Sequence, residues 1–196
     1  MESVSTLRER KKAATRQSLH AAALRLTMAS GLDSVTVEDI ADEVGVSRRT
    51  FSNYFANKED AVLHGDRERT RALLDLVRAR PAAERPWPAL RRGAAQLYGE
   101  LTLPDPAWVG QLRLLRRHPS LLARQAADQI ELERELAGVL LARGAGDDQS
   151  DQELARLMAA TFLAAIRTAG ALWFDSAGER PLPDLVDGLL DRVRFR

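Results

Sequence analysis

The chain has no cysteine, so it can close no disulfide and offer no thiolate to a metal. A reducing compartment suits that composition, and a cytoplasmic protein is expected. Histidine is nearly as scarce. His20, His64 and His118 stand apart, with neither His-x-x-x-His nor Glu-x-x-His spacing, which removes zincin-like sites and di-iron carboxylate bundles. No Gly-x-Ser-x-Gly elbow, P-loop or Gly-x-Gly-x-x-Gly is present. Gly144 and Gly146 read as a helix stop, and Glu131, Glu133 and Glu135 as a solvated face. The expectation is no enzyme, no metal and no cofactor. An apolar leader segment is also missing, because residues 8–16 are basic. The longest apolar stretch is broken by Arg167 and falls short of the roughly 20 residues that cross a membrane, so no span and no secretory signal are expected. Strand-like alternation, internal repeats and Pro/Gly/Ser-rich linkers are absent too.

What is there is a 196-residue chain that is 45% hydrophobic, ample for a packed core. Its net charge of +1 hides an asymmetry. Arg8, Arg10, Lys11, Lys12 and Arg16 crowd the start of a first helix, while Glu38, Asp39, Asp42 and Glu43 make a second one acidic. Such a basic run is either a solvated helix start or a phosphate-binding stripe.

The segment 36–60, TVEDIADEVGVSRRTFSNYFANKED, decides between them. Thr36 is placed to N-cap a helix, with Asp39 closing a capping box and Val35 stapling onto Ile40. Ser47 repeats the signal, with Val46 stapling onto Phe51. Asn57 repeats it again, with Asp60 closing the box and a helix starting at Lys58. Starts about ten residues apart leave room for two turns each, and helices that short must pack on one another. Ala41 is small enough for a close crossing, and Gly45 suits a turn with positive φ. This spells a helix-turn-helix, whose second helix enters the DNA major groove. From that helix Arg48, Arg49 and Thr50 face base edges, Asn53 also reaches the groove, and either arginine can grip guanine O6 and N7.

The remaining punctuation predicts an all-α protein of about nine helices. The first covers residues 7–30, with Leu19, Ala22, Ala23 and Leu26 buried and Gly31 as its C′ residue. A fourth runs over 58–79, with Gly65 acting as a hinge or as a close contact to the first helix. Others are expected at 86–103, 107–117, from Pro119 to Gly144, at 151–176 behind a Ser150/Glu153 capping box, and at 183–194. The predicted division is a DNA-binding domain at 1–57 and a helical ligand-binding and dimerisation domain at 58–196. The helix from Asp151 is apolar almost all round and must be covered on two sides. Ala159 and Leu163, with Leu185 and Leu189 of the last helix, are the expected dimer interface.

Together the entry Val35-Thr36-Val37-x-x-Ile40-Ala41, the turn Gly45-Val46-Ser47, the segment Arg48-Arg49-Thr50-Phe51-x-x-Tyr54-Phe55 and then Asn57-Lys58-Glu59 resemble the signature of the TetR family of bacterial regulators. Ser52 departs from it where many members carry a second aromatic. The close match covers the first quarter to third of the chain. The resemblance implies a ligand-released repressor that binds a palindromic double-stranded DNA operator as a homodimer through a four-helix interface. It places Thr36, Ser47, Tyr54 and Lys58 at phosphate contacts. It also implies a small organic effector held in the larger domain, where Trp87, Trp108, Leu112, Leu115, Phe162, Ile166 and Trp173 are the candidate lining. Arg167 interrupts an apolar helix and either anchors an acidic effector or pairs across the dimer. Two other classes compete: a helical protein-interaction module and a small helical enzyme, each without specific DNA binding. The former leaves Arg48, Arg49, Tyr54 and Lys58 without a role.

Overall fold

The computed structural model describes residues 2–99, 106–144, 148–176 and 178–195, with backbone alone for 2–6 and 106–108. All regular structure among them is helical: α1 (Glu2–Ser30), α2 (Val37–Val44), α3 (Arg48–Ser52), α4 (Lys58–Val62), α5 (His64–Arg78), α6 (Pro86–Gly99), α7 (Pro106–Arg117), α8 (Pro119–Leu141), α9 (Gln149–Asp175) and α10 (Leu182–Asp191). Contacts divide the chain into two units, residues 1–67 with 106–125, and residues 68–105 with 126–196. The division differs from a break at residue 57. Leu114 and Leu115 of α7 and Leu121 of α8 are buried in the same cluster as Leu19, Ile40, Phe51 and Phe55. One long and two short helices enclose too little core alone, so α7 and the start of α8 complete the N-terminal unit.

The expected fourth helix is two helices. His20 Nδ1 lies 2.7 Å from the Ala61 carbonyl, and because a carbonyl only accepts, Nδ1 is the donor. A Cβ on Gly65 would stand 2.8 Å from His20 Nε2. Gly65 is therefore the close contact to α1. With the Ala61 carbonyl engaged by His20, the helical run gives way at Leu63, φ −85° and ψ −1°.

Three capping expectations shift. Asn57 accepts from the Asp60 N–H at 2.8 Å, but no box closes, because the buried Asp60 carboxylate binds Arg67 at 2.9 Å and Arg124 at 3.0 Å. The cap of α9 is Asp148, which accepts from the Asp151 N–H at 2.9 Å, rather than Ser150. Finally, α10 starts one residue before Pro183, behind Pro181, and ends at Asp191.

In the C-terminal unit α10 packs on α6 and α9 around Leu90, Ala94, Phe162, Leu182, Val186 and Leu190. Arg91 of α6 reaches Asp187 and Asp191 of α10 at 3.0 Å each, and the Asp187 hydrogen bond leads in raising the guanidinium pKa. At 27 residues α9 is, by length and hydropathy, long and apolar enough to cross a membrane, contrary to expectation. Its buried residues Ala155, Met158, Ala159, Phe162, Leu163, Ala169 and Gly170 form one side, as in a core helix.

Candidate nucleic-acid interface

Local chemistry fixes the phase of α2 and α3. Thr36 Oγ1 accepts from the Asp39 N–H at 3.1 Å, while the Thr36 N–H and hydroxyl donate to Asp39 Oδ2 at 2.8 and 2.6 Å. The Thr36 side-chain hydrogen bond, then the backbone one, hold the Asp39 carboxyl below its usual range. Gly45 takes φ +73°, and the Val46 N–H returns to the Ala41 carbonyl at 2.9 Å, closing a Schellman turn. Ser47 then caps α3, accepting from the Thr50 N–H at 3.1 Å. Phe51 anchors the helix at 1% exposure, so Arg48, Arg49, Ser52 and Asn53 are turned outward.

These outward residues are not equivalent. Arg48 pairs with Glu38 of α2 at 2.8 Å. Arg49 is exposed, and no ion pair or side-chain hydrogen bond engages it among the described residues. Thr50 is half-buried, its hydroxyl 2.9 Å from Ser47 Oγ. Asn53 is exposed at the end of α3. Two expected contacts are already committed locally: the Thr36 hydroxyl to Asp39, and Ser47 Oγ to Thr50.

Lys58 is the larger surprise. Its Nζ donates to the carbonyls of Leu32 and Val35 at 2.7 and 2.9 Å, tying down the loop between α1 and α2. In this conformation the ammonium is a structural tie and not an outward phosphate ligand. Nothing local signals this, because the acceptors lie 26 and 23 residues away in sequence.

Arg8, Arg10, Lys11 and Lys12 are all exposed on α1. Helical spacing puts Arg8, Lys12 and Arg16 on one line with Lys11 beside it, and sends Arg10 to the opposite side. The line ends at Tyr54, whose ring centroid lies 5.8 Å from the Arg16 guanidinium. Acidic α2 is largely answered by its neighbours: Glu38 by Arg48, Asp39 by Thr36, and Glu43 by Arg25 at 2.6 Å. A surface of this kind can bind phosphates and donate to base edges. No group of three or more His, Asp or Glu side chains suited to a metal occurs among the described residues.

The expected effector lining does not converge. Trp87 and Phe162 meet edge-on with ring centroids 6.4 Å apart in the C-terminal unit. Ile166 and Trp173 are half-buried on the same helix as Phe162, and Arg167 is exposed, so it needs no buried partner. Leu115 is buried in the N-terminal core and Leu112 packs against it, which removes both from a pocket in the other unit. The side chain of Trp108 lies outside the described residues. The residues expected at a dimer face are mostly occupied within the chain. Ala159, Leu163 and Leu185 are buried within the chain at 0%, 6% and 4% exposure, with Leu189 half-buried. The large apolar residues left outside on α9 are Leu154, Leu157 and Leu172. A helix apolar almost all round carries little phase of its own, so the sequence could not say which stripe its neighbours would take.

Comparison with known proteins agrees with this surface. Residues 19–63 match the family described as bacterial regulatory proteins, tetR family, and residues 84–195 match the MftR C-terminal domain. The HTH-type transcriptional regulator TcmR of Streptomyces glaucescens is 36% identical over 174 residues, 86% of this chain and 76% of TcmR. Among solved structures, FadR of Thermus thermophilus, a TetR family transcriptional repressor in complex with lauroyl-CoA, matches with a TM-score of 0.60. The identity is 22%, over 92% of this chain and 97% of that one. The fatty acid degradation regulator FadR of Bacillus halodurans also gives 0.60, at 21% identity over 93% and 97% of the two chains. Likenesses at such identities speak for the fold.

Proposed function

The chain belongs to the TetR family of bacterial transcriptional regulators, and we propose that it is a repressor: a homodimer on a palindromic operator, released by a small organic effector. The observation that carries the reading is the surface of α3, where Phe51 is locked into the core and Arg49 and Asn53 face outward. Arg49 is the base reader, because Arg48 is held by Glu38 while Arg49 keeps all its donors for a guanine edge. The α1 line of Arg8, Lys11 and Lys12 supplies phosphate contacts, which position without specifying.

Two-fold pairing is supported by α9. Leu154, Leu157 and Leu172 continue through the half-buried Thr161, Ala164 and Ala165 as one stripe opposite the buried side. A second copy covering that stripe gives half-sites about one helical turn apart, or a multiple of it. Effector release is supported by covalent continuity. Both α5 and α8 begin in the N-terminal unit and end in the C-terminal one, so a shift of either helix is felt by the helix-turn-helix. The effector must bind the released state more tightly, since equal affinity for both states shifts nothing.

Selection from a random duplex library tests the reading. Enrichment of a two-fold symmetric site is the expected result. A library that returns no enriched sequence overturns it.

A further inference from the structure

The chain folds its own last residues over a buried indole. Helix α10 ends at Asp191, and residues 193–195 leave it without helical structure. Arg91 anchors the last turns of α10 to α6, donating to Asp187 and Asp191 at 3.0 Å each. Phe195 then lies against Trp87 with ring centroids 4.8 Å apart and planes tilted by 57°, while Phe162 meets the same indole edge-on. The three rings differ in how firmly they are held. Phe162 is 0% exposed and Trp87 8%, but Phe195 is only half-buried and lies in the non-helical segment after α10. The Trp87 Nε1–H is buried and has no hydrogen-bond acceptor among the described residues. A buried tryptophan usually finds a partner for that group, and leaving it unmade is costly.

We propose that Trp87 and Phe162 form the floor of a binding site for a neutral aromatic ketone or similar ring carbonyl, and that Phe195 holds the ring's place until the ligand displaces it. Phe195 defines the shape of the occupant, a flat ring tilted against the indole. The unmade N–H defines its polarity, an acceptor at the ring's edge. A neutral carbonyl meets a neutral donor without burying a charge, whereas an alkyl chain leaves the N–H unmet. The inference rests on the reading that the C-terminal unit holds the effector, and adds the effector's class and a tail that competes with it.

The test uses the full chain labelled with 15N-tryptophan, the Trp87 indole resonance being identified by Trp87→Phe. The probes are 2-acetylnaphthalene, naphthalene and dodecanoate. The ketone should move the Trp87 N–H resonance downfield and bind Phe195→Ala about tenfold more tightly than the wild type. Naphthalene should bind more weakly and without that shift, and dodecanoate should not compete. Should Phe195→Ala misfold, Phe195→Leu keeps the tail packed but removes the flat ring, and an affinity gain of about threefold is expected. Equal ketone affinity with and without the Phe195 ring overturns the proposal, as does ketone binding that leaves the Trp87 resonance in place. Operator affinity on the same samples separates the two readings. A ketone that binds as described but leaves operator affinity unchanged supports the site and removes its effector role. Operator release by dodecanoate, with ketone affinity indifferent to Phe195, keeps the effector role and overturns the site.

Discussion

From Thr36 to Asp60 each helix starts on a side chain that accepts a backbone N–H: Thr36 from Asp39, Ser47 from Thr50 and Asn57 from Asp60. In the C-terminal unit α10 starts behind Pro181 with no side-chain cap, and α9, though capped by Asp148, is apolar around most of its circumference. The two regions are oriented by different physics. A capped short helix has one start, and its start decides which residues turn outward. A long apolar helix can turn about its axis at little cost to its own pattern, so its neighbours choose the buried stripe. Polar residues at helix ends therefore aim the outward surface of α3, while packing decides which stripe of α9 is left outside.

The sharpest way to break this comparison is a pair of substitutions on different sides of α9, Leu163 being buried and Leu157 exposed. Leu163→Glu places a carboxylate in the chain's own core and should cost about 4 kcal/mol or more. That is a large part of a typical domain's stability of about 5–15 kcal/mol, so the thermal transition should fall steeply or be lost. Leu157→Glu changes a residue that is 57% exposed, and should leave the melting of the isolated chain nearly intact. Light scattering should then report a monomer with poor operator affinity. If Leu157→Glu unfolds the protein and Leu163→Glu merely separates subunits, the phase assigned to α9 is wrong.

The next effect probes whether Lys58 belongs to the fold or to DNA. Lys58→Met removes a charged donor from two carbonyls and should cost about 1.5–3 kcal/mol of stability in urea unfolding. The slope of log operator affinity against log salt should stay unchanged. A slope that falls by about one unit with stability intact would make Lys58 a phosphate ligand instead.

Arg49→Ala should weaken the selected operator by about 1–3 kcal/mol, or roughly 5- to 150-fold, and random duplex far less. Arg48→Ala, which releases Glu38, should do less to discrimination. Fluorescence anisotropy with both duplexes on both variants decides which arginine reads sequence; equal losses on the two duplexes would reduce Arg49 to a phosphate contact.

How much of this was legible in the sequence follows the same division. The helix-turn-helix was readable because its signals are local: Thr36 and Asp39 are three residues apart, and Gly45 declares the turn that its φ of +73° confirms. The break at Leu63 was not, because it depends on His20 reaching Ala61 across 41 residues. The membership of α7 in the N-terminal unit was hidden because Leu114 and Leu115 look like any core leucines. The start of α9 was ambiguous for another reason. Asp148, Ser150 and Asp151 are all competent caps, and the chain uses the first. Phe195 carried no signal, since its partner Trp87 is more than a hundred residues earlier.

The smallest expected effect lies in the capping box, where the local rule can be titrated. Thr36 donates both its N–H and its hydroxyl to Asp39, and these hydrogen bonds, the side-chain one first, hold the carboxyl below its ordinary value of about 3.9. A folded-state pKa below the unfolded one means that the ionised carboxylate stabilises the fold at every pH above the unfolded value. That contribution drains away as pH falls through the folded value. Thr36→Ala removes the hydroxyl donor, and with it the acceptor for the Asp39 N–H, but keeps the backbone N–H. At pH 7 it should cost about 1 kcal/mol. Below the carboxylate range the two proteins should converge, because the wild type loses there part of what the variant never had. Glu84, held down chiefly by its hydrogen bond to Arg80, gives an acid-range loss of the same sign in both proteins. The difference between the two melting curves, followed from pH 7 down to about pH 2, therefore isolates Thr36 and Asp39. A gap that stays constant over that range would show the cap to act without its carboxylate, and the first helix of the DNA-binding motif would then be aimed by Val35, Ile40 and Ala41 packing rather than by its polar start.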